Sequence, residues 1–361
     1  MIIKNIEIGE VSIPLVRPFK TALRHVNYVE DILVRITAED GSVGYGEAAP
    51  TAVITGDTKG SIITAIRDYI KPSLIGMNIH NLDRVFHTLD TCILKNTSAK
   101  AAIDMAIYDL YAKSLNRPLY QILGGSKDSI ETDITISVNE INEMVADSLD
   151  AVKQGYKILK VKVGKEGAKD LERIKSIREA VGKEIVIRVD ANQGWDAKQA
   201  VRIIRAMEDL NLDIELVEQP VLAHDFTGMQ YVTKNVSTPI LADESVFSVQ
   251  DAIQIIQGRA ADIINIKLMK TGGIHNAIKI CDIAETLGVK CMIGCMLESK
   301  VSVSAAAHFG AAKGGITMAD LDGPSLCKND PYEGGPYFMK NIITMNDTPG
   351  IGICKVPCTW S

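Results

Sequence analysis

The segment ILKVKVG at residues 158–164 has the composition of a buried strand, yet it contains two lysines, Lys160 and Lys162. Because side chains alternate along a strand, the two lysines lie side by side on one face. Burying an ammonium group without a partner is costly, and each lysine disfavours ionisation of the other. Taken alone, the segment therefore indicates a solvated edge strand, where lysines are common.

The sequence on both sides of this segment indicates a different setting. From residue 131 onward, short apolar segments alternate with amphipathic ones such as 196–210. The apolar segments end near residues 138, 163, 190, 218, 243, 267, 295 and 321. Eight such βα units predict an α/β fold with a closed (β/α)8 barrel of the TIM type. A closed barrel has no edge strand, so the two lysines need another explanation.

Residues 1–125 do not follow this pattern and are expected to form an N-terminal α+β capping domain. Apolar and polar residues alternate in three segments, and an Asp-Gly pair makes a hairpin turn before the third. These strands are expected at 2–16, 31–37 and 43–48. Helices are expected at 58–69, where Pro72 ends the helix, and from Asn96 onward.

Two loops of this cap, 19–25 and 50–57, mix apolar residues with threonine, and the first contains Arg24. That composition suits a lid over a small ligand. We expect the barrel at 126–323 and a C-terminal segment, 324–361, that packs back on the cap. The strand pieces of that segment are expected at 337–339 and 342–345.

Composition and charge exclude several classes of protein. Of the 361 residues, 46% are hydrophobic and 23% are charged, which is typical of a soluble globular protein. The net charge is −6 and no basic run indicates nucleic-acid binding. The N-terminus lacks the layout of a signal peptide, and no apolar run reaches membrane-spanning length. Seven cysteines without a Cys-x2-Cys pair predict neither a disulfide framework nor a zinc site, so we expect a cytoplasmic protein.

The carboxyl ends of the strands build the active site of a barrel. In this chain the predicted strand ends carry Lys160 and Lys162 (second strand), Asp190 (third), Glu218 (fourth), Asp243 and Glu244 (fifth), Lys267 (sixth), and Asp320 and Asp322 (eighth). A single acid in such a place more often caps the next helix. Acids that end three consecutive strands would instead repel one another unless a cation lay among them.

Asp190, Glu218 and Asp243 are therefore the candidate metal ligands. Three oxygen ligands without histidine or cysteine select a hard divalent ion, so we expect Mg²⁺, and Mn²⁺ could take its place. Lys162 and Lys267 lie four strands apart, on opposite sides of such a site. The metal and the neighbouring lysine should lower the pKa of these amines toward the working pH, which suits a general base and a general acid.

This combination of Lys-x-Lys, three carboxylates on successive strands, a lysine on the sixth strand and an α+β cap resembles the enolase superfamily, muconate-lactonising subgroup. The resemblance extends from residue 1 to about residue 355. Enolase-superfamily sites stabilise an enediolate with Mg²⁺ beside a lysine or histidine base. Within the subgroup, Asp320-Leu321-Asp322 is similar to the Asp-x-Asp of the dipeptide epimerases, a group that includes L-Ala-D/L-Glu epimerase.

The resemblance implies a Mg²⁺-dependent 1,1-proton transfer at the α-carbon of the C-terminal residue of a dipeptide. Lys162 and Lys267 would serve opposite faces of that carbon, and Lys160 would stay protonated and hold the substrate carboxylate. Asp320 and Asp322 would pair with the substrate ammonium group. Further substrate-binding residues implied by the resemblance are Arg24, Thr135, Leu297 and Glu298. A homo-oligomer is also implied.

Several alternatives stay open at this point. Arg24 could face an acidic side chain or be solvated, and Glu298 could favour a cationic side chain or support the pocket from behind. N-succinylamino-acid racemase, o-succinylbenzoate synthase and muconate cycloisomerase would use the same metal and lysines, although none needs the aspartate pair. A Schiff-base aldolase needs one desolvated lysine but no three carboxylates. A metal- or peptide-binding barrel without turnover needs no opposed bases.

Overall fold

The computed structural model describes residues 1–21, 24–164 and 166–361, with the side chain of Ala168 left out. It begins with an antiparallel sheet of order β1-β2-β3. The strands are β1 (Ile3–Lys20), β2 (His25–Ala38) and β3 (Val43–Ala48). β1 and β2 are longer than predicted and narrow the expected first loop to a few residues around Arg24; Ala22 and Leu23 lie outside the described residues.

Helices of the cap follow the sheet. They are α1 (Lys59–Thr64), a π-helical turn (Ala65–Ile70), α2 (Lys71–Leu74), α3 (Leu82–Thr91), α4 (Thr97–Ser114) and α5 (Leu119–Leu123). The prediction that Pro72 ends the first helix was wrong. A π-helical turn separates α1 from α2, so Pro72 lies in the first turn of α2. A proline is tolerated there because the amide groups of a first helical turn have no partner within the helix.

Helix α4 is buried on most of its surface and packs directly on β3. Two glycines of β3 allow this: a Cβ on Gly44 or Gly46 would lie only 2.1 or 1.9 Å from the carbonyl oxygen of Ala106 or Ala102. The glycines of this strand therefore serve helix–strand packing.

The barrel has eight parallel strands in the order β5 to β12 along the sheet, which confirms the predicted fold class. The strands are β5 (Ile134–Ile136), β6 (Ile158–Lys162), β7 (Val186–Asp190), β8 (Ile214–Glu218), β9 (Ile240–Ala242), β10 (Ile263–Lys267), β11 (Lys290–Gly294) and β12 (Ile316–Asp320). Each ends within two residues of its predicted end. A parallel bridge between Thr132 and Ala319 brings the first and last strands together.

Helices alternate with the barrel strands. They are α6 (Ile141–Lys153), α7 (Gly167–Val181), α8 (Ala197–Asp209), α9 (Phe226–Asn235), α10 (Val249–Gln257), α11 (Leu268–Thr271), α12 (Ile274–Thr286), α13 (Lys300–Ala312) and α14 (Gly323–Leu326). Within the described ranges, none of the helices has the length and apolar character needed to span a bilayer.

Two barrel helices receive their N-terminal caps from the cap domain. Asp104 on α4 accepts hydrogen bonds from the backbone N–H groups of Ile274 and His275 at the start of α12, at 2.6 and 3.1 Å. Glu47 on β3 accepts hydrogen bonds from the N–H groups of Ser299 and Ser302 at the start of α13, at 2.7 and 2.8 Å. Each carboxylate satisfies amide donors that a helix end leaves free.

The C-terminal segment contacts both other parts of the chain. Its strands are β13 (Glu333–Gly334), β14 (Tyr337–Met339), β15 (Ile342–Thr344) and β16 (Ile353–Lys355), and β15 pairs with β4 (Ser129–Glu131) ahead of the barrel. Ser361 exchanges two backbone hydrogen bonds with Ile8 on β1. The Trp360 ring stacks on that of Tyr45, with centroids 6.1 Å apart.

Candidate active site

A cavity lies at the carboxyl ends of the barrel strands, as the fold requires. Both expected lid loops contribute to its wall, through Phe19, Thr21 and Arg24 from the first and Val53 and Ile54 from the second. The barrel and the segment after it contribute Thr135, Lys162, Asn192, Asp243, Glu244, Lys267, Cys295, Met296, Leu297, Asp320, Asp322 and Leu326. The cap and barrel thus enclose one site.

Lys160 lies beneath this cavity and is 1% exposed. Its Nζ is 2.6 Å from Asp320 Oδ2, 2.7 Å from Glu218 Oε2 and 3.3 Å from Asp190 Oδ2. Burial alone would lower the pKa of Lys160, but these carboxylates raise it well above its ordinary value. Lys160 is therefore a fixed cation under the floor, and it does not line the cavity itself.

Lys162 and Lys267 both line the cavity from strands β6 and β10, which lie on opposite sides of the barrel. Lys162 Nζ is 2.5 Å from Asp190 Oδ2, and Lys267 Nζ is 2.7 Å from Asp243 Oδ2. Gly294 on β11 leaves room for Lys267, since a Cβ there would lie 3.0 Å from Lys267 Cε and 2.7 Å from Asn265 Oδ1.

The lowered pKa expected for Lys267 belongs to an amine beside a bound Mg²⁺, whereas the protein's own charges act on Lys267 in the opposite direction. Burial is the largest single influence and lowers the pKa of Lys267, but Asp243, Glu218 and Asp320 together outweigh it, so that the pKa is raised. The same contacts act on the acids. Burial would raise the pKa of Asp243, yet Lys267 and Lys270 hold it well below its usual range, whereas burial and Asp190 raise that of Glu218 to about 7.

The three candidate metal ligands end adjacent strands, with Asp190 paired to Glu218 in register. Among the described residues, no three His, Cys, Asp or Glu side chains already surround a point that would hold a metal ion. The carboxylates turn to the lysines instead. Glu218 Oε2 and Asp243 Oδ1 lie 2.7 and 2.6 Å from ammonium groups but lack hydrogen-bond geometry, so these buried oxygens stay unsatisfied.

The charges of the cluster fit a divalent cation. Its carboxyl groups outnumber its ammonium groups by two: Asp190, Glu218, Asp243, Glu244, Asp320 and Asp322 against Lys160, Lys162, Lys267 and Lys270. Oxygen donors of this kind suit Mg²⁺. The unsatisfied carboxylate oxygens and the mutual repulsion of the acids are what a bound Mg²⁺ would offset.

Two polar residues of the site were missed from the sequence. Lys270, wholly buried on α11, contacts the carboxylate and the carbonyl oxygen of Asp243 and donates a 3.0 Å hydrogen bond to the carbonyl of Asn265. Asn265 on β10 donates to Glu218 Oε1 at 3.0 Å. The three-residue spacing of Lys267 and Lys270 was the available signal, because the short helix α11 turns Lys270 back under the strand end.

Asp320 and Asp322 line the cavity next to Thr135. Asp322 Oδ2 accepts a 2.7 Å hydrogen bond from the backbone N–H of Thr135, while Asp320 is held by Lys160. Burial, followed by the charge of Asp320, raises the pKa of Asp322 to about 6. The structure thus brings together the aspartate pair and Thr135 at one side of the cavity.

Arg24 and Leu297 form part of the lid-side wall of the cavity, whereas Glu298 does not reach it. Glu298 is 1% exposed; its Oε1 accepts the Met296 N–H at 2.5 Å and its Oε2 accepts the Ser302 hydroxyl. Of the two readings of Glu298, the contacts favour the one in which it supports the pocket from behind.

Comparison with known protein families agrees with this architecture. Residues 4–124 match the profile of the mandelate racemase / muconate lactonizing enzyme N-terminal domain, and residues 143–354 match that of the enolase C-terminal domain-like family. The chain belongs to the enolase superfamily. This confirms the membership that the Lys-x-Lys segment and the acidic strand ends predicted.

Relatives of this enolase-superfamily member include proteins of known activity. It is 55% identical to the L-Ala-D/L-Glu epimerase of Clostridium acetobutylicum, over 98% of this chain and 99% of the relative. The substrate-liganded L-Ala-D/L-Glu epimerase of Bacillus subtilis superposes with a TM-score of 0.97 at 49% identity, covering 99% and 100% of the two chains. The Enterococcus faecalis dipeptide epimerase, complexed with Mg and L-Leu-L-Tyr, gives 0.95 at 42% identity, covering 98% and 100%.

Proposed function

We propose that this protein is a dipeptide epimerase that inverts the α-carbon of the second residue. The observation that carries the proposal is the pair of lysines, Lys162 and Lys267, facing one cavity from opposite strands while Asp320 and Asp322 line the same cavity. Opposed amines serve a reaction that removes a proton from one face of a carbon and returns one to the other. The acid pair matches the ammonium group at the start of a dipeptide.

The residues of this chain have distinct tasks in the proposed reaction. One of Lys162 and Lys267, as the neutral amine, accepts the α-proton, and the other, as the ammonium ion, donates a proton to the opposite face. The reverse reaction exchanges their roles. Lys160 stays protonated below them because three carboxylates contact it. Asp322, fixed by Thr135, and Asp320 hold the substrate ammonium group.

Asp190, Glu218 and Asp243 would hold Mg²⁺, and Mn²⁺ could take its place. When bound, the ion supplies positive charge that stabilises the substrate carboxylate as the neighbouring α-proton leaves. The related Enterococcus faecalis protein was crystallised with Mg and a dipeptide, which supports this part of the proposal.

We further propose that an acidic residue is preferred at the second position. Arg24 lines the cavity, and its guanidinium group makes no hydrogen bond or ion pair within the described part of the chain. An acidic side chain would provide that partner. Two relatives named L-Ala-D/L-Glu epimerase support the same preference. The domain boundaries, a cytoplasmic location and a homo-oligomer stay predictions.

The test is a dipeptide library incubated with the protein and Mg²⁺ in D₂O, analysed by mass and by chiral separation. We expect deuterium to enter the α-carbon of the second residue, with both stereoisomers formed, most rapidly for L-Ala-L-Glu. Binding without deuterium uptake by any dipeptide would contradict an epimerase. Deuterium uptake only by N-succinylamino acids would instead support a racemase of the same subgroup.

A further inference from the structure

Behind Arg24, two carboxyl groups of the cap sheet meet in a place that the proposed reaction does not use. Asp31 on β2 is 2% exposed and Glu47 on β3 is 0% exposed. In the antiparallel register Glu47 lies opposite Leu33, so Asp31, two residues before Leu33, is its diagonal neighbour on the same face. Side chains in this arrangement can touch.

Glu47 is surrounded by hydrogen-bond donors. It accepts from the Ser299 N–H at 2.7 Å, the Ser299 hydroxyl at 2.8 Å and the Ser302 N–H at 2.8 Å. All three belong to the first turn of barrel helix α13. The amide donors and the positive end of the helix dipole therefore favour a charged carboxylate at this place.

Asp31 lies in a different environment. Its Oδ2 is buried and receives no hydrogen bond from any donor in the described part of the chain. Its side chain instead lies within hydrogen-bond reach of Glu47. Two carboxyl groups can form a hydrogen bond only if one of them carries a proton. Burial, followed by the charge of Glu47, raises the pKa of Asp31 well above its ordinary value, in agreement with this contact.

Arg24 lies close to this pair without joining it. Arg24, Asp31 and Leu297 line one outer cleft, and Arg24 and Leu297 also line the cavity. Yet Arg24 and Asp31 form no ion pair, and the guanidinium group lies 5.8 Å from the Phe19 ring centroid. An ionised Asp31 would be the natural partner of Arg24 and would compete with an acidic substrate side chain.

We propose that Asp31 and Glu47 share one proton, which keeps Asp31 neutral and leaves the charge of Arg24 available to the substrate. Asp31 is then a positioning residue that controls the preference for an acidic second residue, and this inference rests on the proposed function. The charged and titratable groups that face Asp31 come from several elements: Arg24, Glu47, Glu298, Cys327 and Tyr332.

The first experiment detects the proton directly. In protein with ¹³C-labelled aspartate, the Asp31 carboxyl resonance is assigned by its loss in Asp31→Asn. We expect the chemical shift of a protonated carboxyl group in the wild-type protein at neutral pH. The shift of an ionised carboxylate would overturn the proposal, and this readout requires no enzymatic activity.

The second experiment measures the kcat/KM for L-Ala-L-Glu relative to that for L-Ala-L-Gln. In Glu47→Gln the charge of residue 47 is gone and the new amide group can donate a hydrogen bond to Asp31, which favours ionised Asp31. Its pairing with Arg24 should then lower this ratio on the order of tenfold. The double variant Asp31→Asn/Glu47→Gln should recover the ratio, because the amide side chain that replaces Asp31 carries no charge. A double variant with the same low ratio as Glu47→Gln would show a structural effect and overturn the proposal.

These two experiments separate failure of this inference from failure of the proposed function. If no dipeptide is epimerised, the epimerase assignment falls, while the resonance of Asp31 still decides whether the proton is shared. If Glu47→Gln does not fold, the wild-type resonance decides alone. If dipeptides are epimerised but Asp31 is ionised, the inference falls and the epimerase assignment stands.

Discussion

At and beneath the floor of the cavity each lysine contacts a carboxylate, whereas Arg24 on the lid-side wall pairs with no carboxylate among the described residues. The floor consists of Lys162 and Lys267 with their carboxylates, and Lys160 and Lys270 lie buried beneath it. The wall consists of Arg24, Val53, Ile54 and Leu297. Floor residues stand on or directly after barrel strands, so backbone register fixes their positions. Wall residues stand mostly on connecting segments, which vary more easily. We therefore expect residues of the floor to transfer the proton and residues of the wall to select the substrate.

The largest effect should come from removing either lysine that faces the substrate. We expect Lys162→Ala and Lys267→Ala each to reduce epimerisation by on the order of 10³-fold or more, because one proton transfer then lacks its group. One variant can still exchange the α-proton of a single stereoisomer, which deuterium uptake would detect. Lys153→Ala, an exposed lysine on α6, is the control. Near-normal epimerisation by either variant would contradict the two-base scheme.

Acidic pH should lower the stability of the protein through His308, which lies where the cap packs on the barrel. His308 on α13 is wholly buried and accepts the Tyr120 N–H at 3.1 Å, and burial lowers its pKa from 6.5 to about 4. The unfolded chain therefore binds a proton that the native protein does not. The free energy of unfolding should keep its full value above pH 6.5 and fall by ~3 kcal/mol as the pH drops to about 4.

Denaturant unfolding across this interval checks the prediction, with His308→Gln for comparison because its side chain does not titrate. The variant should have a smaller loss of stability toward acid than the wild type. Parallel pH profiles of the two proteins would show that His308 is not responsible.

The aspartate pair can be tested for its selectivity toward the substrate ammonium group. Asp322→Asn should lower the kcat/KM for L-Ala-L-Glu on the order of tenfold to a hundredfold, since it removes one charge-assisted contact. N-acetyl-L-Ala-L-Glu, which has no ammonium group, should lose much less. Equal losses for both substrates would exclude the proposed anchor.

The wall can be tested in the same way at Arg24. Arg24→Met should reduce the kcat/KM for L-Ala-L-Glu by on the order of tenfold, with little change for L-Ala-L-Leu, because only the acidic side chain loses its partner. Comparable losses for both dipeptides would mean that Arg24 shapes the wall without selecting charge, which would break the contrast between wall and floor.

The smallest effect is expected from one methyl group at the floor. Gly294→Ala would place a Cβ 3.0 Å from Lys267 Cε and 2.7 Å from Asn265 Oδ1, so Lys267 must shift. We expect kcat to fall by roughly tenfold, the scale of a misplaced reacting group. Gly60→Ala, with open space around the added Cβ, is the matched control and should keep full activity. An equally active Gly294→Ala would mean that the floor tolerates displacement.

The floor was more predictable from the sequence than the wall. Buried parallel strands are short, apolar and regularly spaced, and a charged residue at a strand end stands out, so Asp190, Glu218 and Lys267 could be placed at strand ends from the sequence. The raised pKa of Lys267 did not follow, because it depends on which carboxylate turns toward the amine. Lys270 was missed because a lysine after a strand is usually solvated.

The wall and the cap exposed the limits of reading local patterns. The role of Glu298 depended on a contact with Ser302 inside one helix turn, which spacing alone does not separate from a substrate contact. The position of Pro72 could not be predicted correctly, because a π-helical turn leaves no clear mark in a sequence. Asp31 and Glu47 looked like ordinary strand residues, since their meeting depends on the register of two strands.

Asp104 and Glu47 give the division between cap and barrel a practical meaning. Helices α12 and α13 of the barrel depend on carboxylates that are encoded in the first third of the chain. A carboxylate that accepts hydrogen bonds from a helix N-terminus contributes on the order of 1 kcal/mol per helix. Chimeras that join the cap of one relative to the barrel of another should therefore inherit stability only when these acids and the turns they cap are exchanged together, so the two parts behave as one unit of recombination.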